Sequence, residues 1–131
     1  MTRFGIFILW LLHFLPLAVL ARLGAAAGLL FMAIDKKRRN IARTNLRLCF
    51  PNLDESARQR LLREHFKAVG RGALEHSLMF WASQGRLERL VRFEGLEHWE
   101  AVRGRPVILL VPHFAGFIMG PLRFSIEHPV V

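Results

Sequence analysis

The side chain with the clearest chemical potential in this sequence stands at the end of an apolar run. In residues 105–120, RPVILLVPHFAGFIMG, the stretch VILLV is followed by Pro112 and then His113. Histidine is the side chain whose ordinary pKa lies near neutrality, so it can take a proton and return it. VILLV is short, unbroken and bounded by Gly104, Pro106 and Pro112. That pattern predicts a strand buried on both faces. In open α/β sheets ligands gather outside the carboxyl ends of strands, where His113 would fall, with Gly116 nearby to let the backbone approach a substrate. Position alone leaves two readings open: a general base, or an ordinary core or capping histidine.

The other reactive side chains carry weaker signals. His65 and His76 lie eleven apart, each after a glutamate, and match no metal-ligand spacing such as H-E-x-x-H. No metal site and no cofactor is expected. Cys49 is the one cysteine, which cannot form an internal disulfide. It reads as a small buried hydrophobe.

These residues must be held by the elements around them, and charge shows how the chain is divided. The formal net charge is +9, yet 53% of the residues are hydrophobic. Residues 1–47 hold eight Lys/Arg against one acid, while residues 48–131 hold eleven against nine. A nucleic-acid binder spreads its basic surface over the folded domain, so no nucleic-acid partner is expected. Here the excess lies beside an apolar segment and points to a membrane surface.

Residues 4–21, FGIFILWLLHFLPLAVLA, contain no formal charge, and residues 23–34, LGAAAGLLFMAI, continue after Arg22. A spanning helix needs about 20 mostly apolar residues. Residues 4–21 are expected to span, with residues 23–34 extending that helix into the interface or packing against the protein. The basic cluster Lys36, Lys37, Arg38, Arg39, Arg43 and Arg47 then marks the cytoplasmic flank of an uncleaved, single-pass helix. A cleaved signal peptide, leaving a soluble secreted protein, is the rival reading. Residues 1–34 are read as the anchor and interfacial helix, and residues 35–131 as the body, facing the cytoplasm.

In the middle of the chain, Ile41, Leu46 and Leu48 predict an amphipathic helix that ends before Pro51. Asp54 can cap a second helix, on which Leu62, Phe66, Val69 and Ala73 follow helical spacing. Gly70 and Gly72 are expected to bend or interrupt it, and LEHSLMFWA to resume an apolar face with Met79, Phe80 and Trp81 in the core, ending at Gln84 and Gly85. LVRFEG, residues 90–95, reads as a short strand. LEHWEAVRG, residues 96–104, places Leu96, Trp99 and Val102 on one helical face. The fold class expected is α/β: an N-terminal membrane helix, then the beginning of an α/β domain.

Taken together, the apolar anchor with its basic flank, NLRLCFP (residues 45–51), a long helix ending in EHF, and WEAVRGRPVILLVPHF (residues 99–114) resemble the lipid A biosynthesis acyltransferases, the lauroyl/myristoyl transferases of Gram-negative bacteria. The resemblance implies an α/β acyltransferase domain, an acyl carrier protein thioester as donor and a lipid A precursor with a hydroxyacyl chain as acceptor, at the bacterial inner membrane. It also implies a histidine general base with Asp or Glu five positions later. His113 matches the first half of that motif; Ile118 stands in the second. Members of this family are more than twice as long, so the 131 residues are read as an N-terminal part, truncated, with activity impaired. The alternative from another class is a non-catalytic membrane-anchored remnant or binding module.

Overall fold

The computed structural model describes residues 2–112, 114 and 118–128. Among them are seven helices: α1 (Thr2–Leu12), α2 (Leu17–Ile34), α3 (Lys36–Cys49), α4 (Glu55–Trp81), α5 (Gln84–Leu90), α6 (Leu96–Glu100) and α7 (Met119–Glu127). The chain forms two compact units, Met1–Ser77 and Leu78–Val131, with the division falling inside α4.

The apolar N-terminus is two helices, not one. Pro16 lacks an N–H and fixes its own φ, so a helix arriving from residue 4 ends before it. The last turn tightens: Phe14 and Leu15 donate to the carbonyls of Leu11 and Leu12, three residues back, at 3.4 and 3.0 Å. The carbonyl of Pro16 then accepts from Val19 and Leu20 and starts α2. This moves the helix of membrane-spanning length from residues 4–21 to Leu17–Ile34. At about 1.5 Å per residue, α2 is roughly 27 Å long, close to the thickness of a bilayer's hydrocarbon core.

Unit 1 is held by matched stripes on α2 and α4. Leu20, Gly24 and Gly28 are buried on one face of α2, and Leu62, Phe66 and Gly70 on one face of α4. Both stripes repeat every four residues, the spacing that keeps side chains on one helical face. At the crossing there is no room for a side chain. A Cβ on Gly28 would lie 2.0 Å from the Phe66 carbonyl oxygen, and one on Gly70 would lie 2.0 Å from that of Gly24. Gly70 and Gly72 therefore do not interrupt α4, which runs unbroken from Glu55 to Trp81. The glycine that looked like a break in a sequence is a backbone contact. Leu20, Leu62 and Phe66, almost fully buried, each contribute about 1.5–3 kcal/mol on leaving water.

Two predicted ends hold. The helix before Pro51 stops at Cys49, and Asp54 caps α4 by accepting the Ala57 N–H and the Ser56 hydroxyl, both at 2.7 Å. Arg58 closes the connection between them. Its guanidinium donates to the carbonyls of Phe50, Pro51 and Leu53 and pairs with Glu55.

The expected α/β class is overturned: among the described residues there is no strand. Residues 84–90 are helical, so Gln84 opens α5 where the sequence suggested a stop. Of the expected strand at 90–95, Leu90 ends α5, and Val91 is extended but donates its N–H back to Leu87. Residues 106–112 are free of helix, yet VILLV has no ladder partner among the described residues. Ile108 and Leu110 are 95% and 90% exposed, the reverse of a strand buried on both faces. The local pattern of residue types favours a strand, but a strand also needs a neighbour to take up its N–H and C=O groups.

Unit 2 packs α5 on α7, around Leu87 and Phe124. Phe93 and Trp99 meet the Phe124 ring edge-on at 6.0 and 4.9 Å between centroids. Phe80, expected in the core, is 63% exposed.

Candidate functional site

His113 lies outside the described residues, as does Gly116. What the structure gives is the frame on either side. Before it, residues 106–112 form no helix or strand, and the Pro112 carbonyl accepts the Phe114 N–H at 3.0 Å. After it, Ile118 opens α7, its carbonyl taking the Leu122 N–H at 3.1 Å. The side chain five positions after His113 is thus a half-buried hydrocarbon at the entry to a helix. It can neither accept an imidazole N–H nor offset an imidazolium charge.

The next carboxylate along the chain, Glu127, is already engaged. Arg123 is buried in α7, donates to Glu127 Oε1 at 2.5 Å and lies 5.4 Å from the centre of the Phe93 ring. The Arg123 hydrogen bond holds the Glu127 carboxyl below its ordinary range. Next to it, Trp99 Nε1–H donates to His128 Nδ1 at 3.3 Å. Reading the sequence missed Arg123. The Arg-to-Glu spacing of four along a helix was the available signal, and its stacking on Phe93 was not.

The six basic residues expected at the membrane surface all fall on α3 or its first turn, and they do not act alike. Asp35 caps α3 through the Arg38 N–H at 2.9 Å and pairs with the Arg38 guanidinium at 3.5 Å. Arg39 turns back and donates to the carbonyls of Met32 and Ala33 at 3.1 and 3.4 Å, closing the C-terminus of α2. A cation suits the partial negative charge of those last carbonyls. Arg43 is half-buried and donates to Asn40. Lys36, Lys37, Arg38 and Arg47 are exposed. The belt is therefore four outward cations and two that also serve the fold.

The remaining candidates stay apart. His76 is bonded to the Gly72 carbonyl at 2.6 Å within α4, and His65 meets the Phe66 ring edge-on. Among the described residues no group of three or more His, Cys, Asp or Glu side chains could hold a metal ion. Cys49, read as buried, is exposed: it ends α3 and lines an open groove between α2, α3 and α4.

Comparison with known proteins adds to this geometry. The family model for bacterial lipid A biosynthesis acyltransferases matches residues 1–130. A lipid A biosynthesis lauroyltransferase of Escherichia coli K12 is 33% identical over 131 residues, which is 98% of this chain and 43% of the relative. A lipid A biosynthesis palmitoleoyltransferase of the same organism is 31% identical over 133 residues, 100% of this chain and 44% of the relative. A lipid A biosynthesis acyltransferase of Haemophilus influenzae is 30% identical over 117 residues, 88% of this chain and 38% of the relative. No solved structure matches significantly. The chain spans less than half the length of these curated relatives. With the family match running through nearly every residue, including His113 and Ile118, this chain belongs to the bacterial lipid A biosynthesis acyltransferases.

Proposed function

We propose that this chain contributes the general-base segment of an enzyme that moves a fatty acyl group from an acyl carrier protein thioester to a hydroxyacyl chain of a lipid A precursor. The observation that carries this is the family match across residues 1–130, with a histidine at position 113. His113 takes the proton from the acceptor hydroxyl as its oxygen attacks the thioester carbonyl. The tetrahedral intermediate then collapses and expels the carrier thiolate, which takes up a proton, leaving a new ester. A hydroxyl is a weak nucleophile at its free pKa, so an adjacent base is what this reaction requires. With Ile118 at the carboxylate position, the imidazole lacks an orienting partner there and transfer is slow.

A second reading, a non-catalytic remnant or binding module, is favoured by two observations: Ile118 itself, and the commitment of Glu127 to Arg123. An acyl-transfer assay on the product of the native gene separates the two. The enzyme reading expects slow transfer that disappears in His113→Ala. No transfer by the unaltered protein, or transfer that survives His113→Ala, overturns it.

The proposed location is the cytoplasmic face of the bacterial inner membrane, held by α1 and α2. The basic C-terminal flank of α2 supports a body in the cytoplasm, and by length and composition alone α2 would suit a single pass. Its pairing with α4 favours insertion without crossing, because Gly70 and Arg71 lie against Gly24 and accompany α2 to whatever depth it reaches.

A further inference from the structure

In unit 1 the end of α2, one face of α3 and the first half of α4 enclose a groove of about 560 Å3. That is within the usual size range of ligand sites, about 300–1,000 Å3. Part of the lining is apolar. Phe31 of α2 and Phe66 of α4 stand 6.1 Å apart between ring centroids, and Ile41, Leu46 and Phe50 extend that surface. The other part is polar and holds two cations, Lys37 and Arg38, beside Asn45 and His65. The single acid in the lining, Asp35, caps α3 and pairs with the Nε edge of Arg38 at 3.5 Å, which leaves Lys37 and the rest of the exposed Arg38 guanidinium to face an anion.

The groove therefore has two chemistries side by side, and its position joins them to a membrane. It sits at the C-terminal end of the helix apolar and long enough to cross a bilayer, beside a helix with six basic residues and no acid. Ile41 and Phe50, both in the lining, are 52% and 46% exposed. An apolar channel with cations beside it is complementary to a molecule carrying a hydrocarbon tail and an anionic head.

We propose that this groove binds one anionic phospholipid of the bilayer. Its phosphate lies at Lys37 and Arg38, and one acyl chain lies along Phe31, Ile41, Leu46, Phe50 and Phe66. The site draws all of its lining residues from unit 1, and the occupant we assign to it is a resident lipid of the bilayer. The proposal rests on the reading that the protein is held at a membrane surface.

The probe is phosphatidylglycerol. The full chain is placed in nanodiscs of phosphatidylcholine mixed with phosphatidylglycerol, released in the gas phase, and weighed with the lipid it retains. One phosphatidylglycerol per chain is expected. Lys37→Gln/Arg38→Gln raises the lipid fraction needed for half occupancy about tenfold, since each cation near an anionic head group adds to the attraction. Ala42→Phe, which fills the groove and leaves every cation in place, abolishes retention while the protein still floats with phosphatidylcholine–phosphatidylglycerol vesicles. Cys49 lines the groove, so its alkylation by a water-soluble maleimide slows when the lipid is bound and not when inorganic phosphate is added. Equal retention of phosphatidylcholine, retention undiminished in Ala42→Phe, protection by phosphate alone, or preference for a lipid A precursor each overturn the proposal. Failure of the unaltered chain to float with vesicles of either composition overturns the membrane reading itself, and is seen separately.

Discussion

On the proposed function, position 118 is where this chain departs from the general-base chemistry. A neutral imidazole must be held with the acceptor nitrogen toward the substrate hydroxyl, and must then carry a positive charge. A carboxylate on the other nitrogen does both, and its loss in the serine-protease template costs about 10⁴ in rate. Ile118→Asp is therefore expected to raise acyl transfer by a large factor, up to about that size, with little change in acceptor KM. Ile118→Asn can accept the N–H but cannot stabilise the imidazolium, so it should recover much less. Equal gains from both variants, read in kcat, would show that polarity alone matters at 118. Asp54 offers a test at the same scale that needs no substrate. The Ala57 N–H and the Ser56 hydroxyl hold its carboxyl below the ordinary 3.8. A depressed folded pKa means the cap stabilises α4 above that ordinary value and is lost as pH falls through the lower folded one. Asp54→Asn keeps a capping oxygen and should flatten the acid limb of a melting-temperature profile below about pH 4. Asp54→Ala should lower the melting temperature at neutral pH.

Among the elements, the α2–α4 crossing makes the strongest demand on sequence. Gly24, Gly28 and Gly70 allow two backbones to touch, and each added Cβ would meet backbone atoms at 2.0–2.7 Å. Backbone cannot rotate away as a flexible side chain can. Gly28→Leu or Gly70→Leu should therefore cost more than the usual 1–3 kcal/mol, roughly, of an overpacked core. Gly5→Leu, where nothing lies within 4 Å, should be neutral. Thermal denaturation in detergent reads all three. This crossing also shows what the sequence could and could not reveal. The end of α3 before Pro51 and the Asp54 cap were legible because both are local signals, written within a few residues. The roles of Gly70 and Arg39 were not, because each is set by a partner far along the chain or across a helix end. VILLV failed as a strand for the same reason: its apolar, β-branched composition is local, its pairing is not. His113 lies outside the described residues, so its role stays a proposal, and Arg123 was hidden because its partner Phe93 is thirty positions away.

At the scale of the whole molecule, the question is how deeply the N-terminal helices enter the membrane. Taken alone, α2 passes for a spanning helix by length and composition. It is not alone. Its midpoint touches Gly70 and Arg71, and its later turn at Gly28 touches Phe66, so in unit 1 the two helices run antiparallel. If α2 crossed the bilayer, exposed Arg71 would lie close to the midplane. One arginine there costs about 2.5–3.5 kcal/mol on translocon scales. Each Leu, Ile, Phe or Val of α2 returns only about 0.3–0.6 kcal/mol, and Arg22 opposes insertion as well. The sum favours a shallower arrangement, in which α1 and the exposed face of α2 enter one leaflet and the basic α3 rests among the head groups. A protease-cleavable tag placed before Thr2 and another in the loop at residues 50–54 should then both be protected in intact spheroplasts and both be cut in inverted vesicles. Cleavage of the N-terminal tag in spheroplasts, with the loop tag protected, would mean that α2 crosses, and that Arg71 must reach the interface by extending its side chain along the helix.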